Sequence, residues 1–313
     1  MSLHVIVGAG AVGSATARIL AAQGHQVRII SRSGSGPDHP AIECVTADAN
    51  DAQRLTALAD TAAALYNCVN PPYHRWLTDW PPIAAALRTA AERSGAVLVT
   101  AANLYPYGPV DGPMTEETPL AATHPKLRMR ATMWRDDLAA QEAGRLRTTE
   151  VRASDYIEAN SILSFVMAKP LLAGKRAYVP AALDVPHSWT SINDVARMLV
   201  TVATDERAWG RAWHVPTNDP LTVRELAQRF VEVAGAPAPP KLIAMPYAAL
   251  WTAGVFNPFI RELRTTRYQF VRPFVLDSSL ARTTFGLEPT PIDEALRTAL
   301  SDLRARDQLP QPR

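Results

Sequence analysis

Three residues into the chain, a short and mostly apolar run, His4-Val5-Ile6-Val7, breaks directly into Gly8-Ala9-Gly10-Ala11-Val12-Gly13. An Ala-rich helical pattern then runs from Ser14 to Gln23. A buried strand, a G-x-G-x-x-G turn and a helix in that order form the phosphate-binding end of a βαβ unit. Gly8 permits the tight turn, Gly10 lets backbone approach a pyrophosphate, and Gly13 lets helix and strand pack closely. The unpaired N–H groups at the helix start attract the phosphate charge. A second strand, Gln26 to Ile30, follows at the expected distance. Gly8, Gly10, Ala11, Val12 and Gly13 are therefore candidate dinucleotide ligands.

The second strand runs into Ser31-Arg32-Ser33-Gly34-Ser35-Gly36, and no acidic residue occurs between Gly24 and Pro37. A site that prefers NAD places a carboxylate here to accept from the ribose 2′-hydroxyl, whereas arginine suits a 2′-phosphate. Ser31, Arg32 and Ser33 thus predict NADP(H) as cofactor.

At 313 residues and 47% hydrophobic content the chain can bury one large core, or a nucleotide domain and a smaller lobe. A net charge of +2 without a dense basic cluster excludes nucleic acid as a partner, and the expected partner is a small molecule. No run reaches the roughly 20 apolar residues of a membrane span. The chain enters its first strand at once, so no signal peptide is expected. Two cysteines, Cys44 and Cys68, exclude a disulfide framework and are expected as buried, reduced thiols. A cytoplasmic monomer or homodimer is expected. Arg far outnumbers Lys and Ala is abundant, which fits a bacterial genome of high GC content.

Downstream, strands are expected at Ile42–Thr46, Ala62–Val69, Ala96–Ala101 and Thr148–Arg152. Helices are expected near Asp51–Leu58, Ile83–Ser94 and Lys126–Glu142. This alternation predicts an α/β fold, a doubly wound parallel sheet of Rossmann type, with ligands at the carboxyl ends of its strands. Beyond Arg152 the chain turns irregular and rich in Pro and Trp, with helices at Ile192–Val202, Val223–Val233 and Ile292–Ala305. The expected division is a dinucleotide-binding domain over 1–155 and a smaller C-terminal substrate lobe over 156–313, with interleaving possible.

Further motifs accumulate along the chain. Asp48 follows the third strand, and Tyr105-Pro106-Tyr107-Gly108 precedes Thr115-Glu116-Glu117-Thr118-Pro119. Later come Trp189-Thr190-Ser191-Ile192-Asn193-Asp194-Val195-Ala196 and the segment Arg282 to Ala295. With the Gly-rich loop, these resemble the short-chain dehydrogenase/reductase superfamily, in its extended or atypical NAD-dependent epimerase/dehydratase branch, over nearly the whole chain. The resemblance implies that Asp48 and Ala49 edge the adenine. It also implies that Asn67, Cys68, Val69 and Asn70 line the two riboses. Asp48 is equally well read as the N-cap of the helix near Asp51.

That superfamily's redox chemistry uses a Tyr-x-x-x-Lys pair and a Ser or Thr at the preceding strand end. Here the Ser/Thr position is Asn103, and the window Ala122 to Arg130 contains no tyrosine. Lys126-x-x-x-Arg130 is the nearest spacing match, and Arg130 is expected on the nicotinamide ribose. Candidate proton donors are Tyr107, then Lys126, then Asp155, with Tyr73, Tyr105 and Tyr156 also at strand-end loops. The segment Asn70 to Pro82 packs Tyr73, Trp76, Trp80 and four prolines as a rigid aromatic substrate wall. His187 and Trp189, with Phe256, Phe259 and Phe270, form the expected opposite wall. A flat or apolar substrate suits such walls better than a nucleotide sugar, whose diphosphate wants several cations.

Three readings stay open from the residues alone. One is an NADP(H)-dependent oxidoreductase of extended short-chain type acting on a small or medium organic carbonyl or alcohol. Another is a sugar-type epimerase or dehydratase that retains its cofactor. The third is a non-catalytic NADP-binding sensor or partner protein.

Overall fold

The opening strand lies near the middle of a seven-stranded parallel sheet in the computed structural model, which describes residues 1–236, 238–256 and 258–308. In chain order the first half runs β1 (Leu3–Val7), α1 (Ala11–Ala22), β2 (Gln26–Ser31), β3 (Ile42–Thr46), α2 (Ala52–Leu58), β4 (Ala62–Asn67), α3 (Trp76–Ser94), β5 (Val97–Asn103), α4 (Pro125–Glu142) and β6 (Thr148–Ala153). The second half continues with β7 (Asp155–Tyr156), α5 (Ala168–Leu172), β8 (Arg176–Val179), β9 (Trp189–Thr190), α6 (Ile192–Thr204), β10 (Ala212–His214) and α7 (Val223–Ala234). It closes with β11 (Lys241–Ala244), α8 (Tyr247–Phe256), α9 (Pro258–Thr266), α10 (Tyr268–Val271), α11 (Ser279–Phe285) and α12 (Ile292–Gln308).

Strand order across the sheet is β10-β6-β5-β4-β1-β2-β3, the doubly wound arrangement expected from the alternation of strands and helices. Its register sets Val7 beside Ile30 and Asn67, and Asn103 beside Ala153. The carboxyl ends of β1, β2, β4, β5 and β6 thus share one edge, where parallel sheets of this kind bind ligands. Apolar residues cover both faces, as a fully buried parallel sheet requires. Val5, Val7, Leu65 and Leu98 pack beneath α3, while Ile6, Ile29, Tyr66 and Val99 pack on the opposite face.

The chain crosses between the two parts after residue 155. Helix α6 packs on α1, and its Val195, Met198, Leu199 and Val202 join the core that holds Ile6 and Ile29. Strand β10 is the seventh strand and pairs with β6 through Trp213 opposite Val151. Residues 192–214 therefore belong to the seven-stranded sheet and its helical cover. The separate lobe has its own core, including Leu163, Met167, Trp189, Phe230 and Leu296.

Helix α3 begins at Trp76 rather than near Ile83, with Pro81 and Pro82 inside it. A proline in a helix interior costs about 3 kcal/mol. Trp76 and Trp80 are each 1% exposed, and burying about 200 Å² per indole is worth about 5 kcal/mol. Packing outweighs the local penalty. The cap of α2 is Asp51, whose side chain accepts from Arg54 N, so Asp48 is not that cap. Both cysteines are free as expected, but Cys44 is exposed and Cys68 half-buried, so neither is fully buried.

Candidate active site

At the shared strand edge, local sterics shape the turn between β1 and α1. Gly8 has φ +111°, and a Cβ there would stand 2.5 Å from Cys68 O. A Cβ on Gly13 would lie 1.9 Å from Gly8 O, so helix and turn touch backbone to backbone. Gly10 differs: nothing among the described residues lies within 4 Å of where its Cβ would stand, leaving room for a ligand. It also caps the 12-residue α1 with no side-chain hydrogen bond and no acidic residue in the first turn among the described residues. A bare helix N-terminus beside an open glycine fits a pyrophosphate.

A cavity of ≈ 1370 Å³ runs from this turn along the sheet edge to the second lobe. Gly8, Gly10, Ala11 and Val12 line it at one end, with Ser31, Arg32, Ser33, Asp48 and Ala49 beside them. Cys68, Val69 and Asn70 follow, then Tyr73, Asn103, Arg130, Asp155 and Tyr156. Arg32 and Ser33 are exposed at the end of β2. Asp48 Oδ1 accepts from Asn50 N at 3.0 Å, holding the loop after β3.

Several candidates lie off the lining. Gly13 acts through packing, and Asn67 is buried with its Oδ1 accepting from Val69 N. Trp76 is a core residue that donates to Pro71 O, so it is not a substrate wall. Trp189 likewise packs in the second lobe's core and donates to Leu221 O. His187 is 2% exposed and stands behind Asp155 rather than facing the cavity. The side chains of Phe256 and Phe259 lie outside the described residues.

Two expected proton donors are corrected as well. Tyr107 is fully buried, and its hydroxyl accepts from Arg152 Nη1 and contacts His214 Nε2, both at 2.7 Å. Because His214 Nδ1 must donate to Asp277 O at 2.8 Å, its Nε2 is the acceptor for the Tyr107 hydroxyl. Burial pushes the Tyr107 phenol up to about 12 and the His214 imidazole down to about 4. Lys126 is also off the lining. Its ammonium pairs with Glu262 and straps α4 to α9, so it is not free to act as an acid in the cavity.

The cavity's centre instead gathers other groups. Tyr73 and Tyr105 share a 2.6 Å hydroxyl–hydroxyl hydrogen bond, and both rings pack on Trp76. Burial pushes Tyr73 up to about 12 and Tyr105 well above its ordinary value. As an acid, Tyr73 is then roughly a hundredfold weaker than a free tyrosine. Asn103 Oδ1 accepts from Tyr105 N and so fixes the turn that presents the Tyr105 phenol. Arg130, 4% exposed, donates to Ala101 O and stacks over Trp80 at 4.5 Å, and burial lowers its pKa. Asp155 receives a 2.8 Å contact from His187 Nε2.

Ser154, Glu262 and Gln269 also line this region without having been expected there. Ser154 directly follows β6, so the strand-end rule could have found it. Glu262 and Gln269 arrive from the second lobe, and nothing local in the sequence points to them. Buried Ser154 Oγ, Gln269 Oε1 and Trp80 Nε1 have no partner among the described residues. Orphan polar atoms are costly, and these three belong to residues that line one cavity. No metal-binding cluster of His, Cys, Asp and Glu occurs among the described residues, and none of their helices is long and apolar enough to cross a membrane.

Residues 4–215 match the NAD dependent epimerase/dehydratase family. No curated protein matches the chain in sequence. Solved structures are similar over nearly the full length. A UDP-N-acetylglucosamine 4-epimerase from Methanobrevibacter ruminantium, in complex with UDP-N-acetylmuramic acid, is 13% identical with TM-score 0.79, covering 97% of this chain and 99% of its own. The UDP-glucose 4-epimerase of Thermotoga maritima, with UDP-glucose, is 14% identical with TM-score 0.78, covering 98% and 100%. WbmH of Bordetella bronchiseptica, in complex with NAD+, is 20% identical with TM-score 0.71, covering 97% and 99%. At these identities the likeness is one of fold.

Proposed function

For a chain that belongs to the NAD dependent epimerase/dehydratase family, we propose the activity of an NADP(H)-dependent oxidoreductase acting on a small or medium organic carbonyl or alcohol. The observation that carries this reading is the single cavity joining the Gly8–Val12 turn and Arg32 to the Asn103, Arg130 and Asp155 cluster. Its ≈ 1370 Å³ exceeds the roughly 300–1,000 Å³ of one small-molecule site, so two ligands fit side by side. Gly8, Gly10, Ala11 and Val12 would hold the pyrophosphate, and Arg32 with Ser31 and Ser33 the 2′-phosphate. Arg130 would hold the nicotinamide ribose hydroxyls. When bound, the dinucleotide supplies or removes two electrons and a hydrogen at carbon.

The chain's own residues exclude water and orient the second ligand. Ile162, Phe165, Val166, Pro180, Leu250 and Phe270 make the far end of the cavity largely apolar. Such a surface supports a compact organic substrate. A nucleotide-sugar epimerase is the second reading, favoured by Arg264 and Arg267 on the same lining. Against it, the Arg264 guanidinium donates to Trp251 O and lies over that indole, and the Arg267 guanidinium stacks on Tyr247.

Fluorescence titration with NADPH and NADH tests the cofactor assignment. A charge-assisted contact from Arg32 should favour NADPH by about 1–3 kcal/mol, and Arg32→Ala should abolish that preference. Equal affinities in the wild type, or a preference that survives Arg32→Ala, would refute it. A panel of carbonyl compounds and UDP-sugars then separates the two readings: consumption of NADPH with a simple carbonyl supports the first, and UDP-sugar interconversion without net NADPH loss the second.

A further inference from the structure

We propose that Asp155 is the proton-exchanging catalytic residue of this cavity and that His187, behind it, is the positioning residue that orients the carboxylate and holds the proton it passes on. The proposal rests on the oxidoreductase reading above. Strand pairing creates the juxtaposition. β7 lies parallel to β9, with Asp155 opposite Trp189, and His187 precedes Trp189 by two residues on the adjoining segment. Asp155 Oδ2 is 2.8 Å from His187 Nε2, and His187 Nδ1 is 3.1 Å from Gln269 O. The Asp155 side chain is 22% exposed and lines the cavity, whereas that of His187 is 3% exposed. Phe270 stacks on the imidazole with planes 3° apart, and Phe274 and Trp189 close its remaining sides. The ring has no room to turn away.

Counting protons on this ring gives the chemistry. A main-chain carbonyl only accepts, so the contact with Gln269 O requires a proton on Nδ1. A neutral ring protonated there would turn the Nε2 lone pair toward a carboxylate oxygen, and two acceptors do not attract at 2.8 Å. The contact therefore holds one more proton, shared between Asp155 Oδ2 and His187 Nε2. The Asp155 carboxylate, hydrogen-bonded to the Nε2–H of this doubly protonated ring, sits on the cavity wall, where the expected Tyr107 and Lys126 are turned away.

The balance of the step is simple. In the reducing direction a bound reduced dinucleotide would supply two electrons and a hydrogen to the carbonyl carbon, leaving the C=O π pair on oxygen. That oxygen takes a proton from Asp155 Oδ2 as His187 Nε2 passes its own to the carboxylate, so the alcohol O–H bond forms as the Nε2–H bond breaks and the imidazole is left neutral. The pair, one proton short, is reloaded from solvent through the cavity. Oxidation of an alcohol runs the same path backwards.

Other charged or titratable groups face this region. The phenols of Tyr73, Tyr105, Tyr156 and Tyr268 surround Asp155 electrostatically, and burial raises all four, so they stay neutral through neutral pH. The Arg130 guanidinium stays charged. Glu262 is held by Lys126, while His74 and Arg75 line the mouth. His74 is thus the group to remove as a control.

The test uses the full chain and has two independent readouts. Imidazole nitrogen NMR of the wild type, compared with His187→Gln to assign the signal, should show both His187 nitrogens carrying hydrogen at pH 7. In Asp155→Asn the Nε2 should become a bare acceptor facing the new amide. With NADPH and a carbonyl that the wild type reduces, Asp155→Asn should lower kcat by about 10²–10⁴-fold, leaving NADPH affinity and Tm near wild type. His187→Gln should lower kcat less and move the pH profile, while His74→Gln should leave that profile in place. A wild-type Nε2 without hydrogen, or an Asp155→Asn kcat within threefold of wild type, overturns the proposal. A wild type that does not bind NADPH refutes the oxidoreductase reading instead, and the NMR result still decides whether the pair shares a proton.

Discussion

Tyr107 shows how a residue's type and position can point to the wrong task. It follows β5 beside Asn103, where a substrate oxygen is expected, yet it sits two residues from Tyr105 in a short 3-10 turn. About three residues complete such a turn, so the two phenols leave it on different sides. Tyr105 takes the cavity side and Tyr107 the protein interior. There its hydroxyl links the buried Arg152–Glu150 pair to His214. Tyr107→Phe should lower stability by about 1–3 kcal/mol by stripping a partner from two buried groups. Turnover should remain within twofold of wild type. A large kcat loss at unchanged Tm would return Tyr107 to the list of donors. The same network predicts acid sensitivity. His214 is neutral in the fold with its pKa lowered to about 4, and buried His4 is lowered to about 4 as well. A histidine depressed in the native state takes up its proton first in the unfolded state. Its contribution is complete above about 6.5 and is lost as pH falls toward 4, up to about 3 kcal/mol for His214. Urea midpoints at pH 7.5, 5.5 and 4.5 should fall accordingly, and a flat series would contradict the assignment.

At the scale of elements, the β1–α1 turn was legible because each glycine has a local steric reason. Two of those reasons can be separated. Gly13→Ala drives a methyl group into Gly8 O, and backbone on backbone cannot yield. Gly10→Ala meets open space within the protein. Gly13→Ala should therefore depress Tm sharply, whereas Gly10→Ala should hold Tm within about 1–2 °C while weakening NADPH binding tenfold or more. Equal behaviour of the two variants in thermal melts would contradict this division. Helix α3 was less legible. Its prolines hid the first two turns, because local propensity carries no knowledge of the space in the core that the two indoles fill.

For the whole molecule, the sheet draws on residues from both sides of position 155. Residues 1–155 contain six of the seven sheet strands but lack α6 and β10, which cover α1 and pair with β6. A 1–155 fragment should therefore expose the face carrying Ile6 and Ile29 and aggregate. The full chain should melt cooperatively and bind NADPH. A monomeric 1–155 fragment with native-like circular dichroism would show the sheet to be independent of its seventh strand. Strand periodicity, the spacing of the Gly-rich turn and the missing acid after β2 are one-dimensional features. They were enough to determine a parallel doubly wound sheet and to mark the loops at its carboxyl edge. Asp155 and His187 lie 32 residues apart, and Lys126 and Glu262 lie 136 apart. Such pairings depend on how β7 meets β9 and how α9 settles over α4. Which side chains face the cavity, and which are spent holding it together, was decided by tertiary packing alone, because that packing brings together groups that share no local pattern.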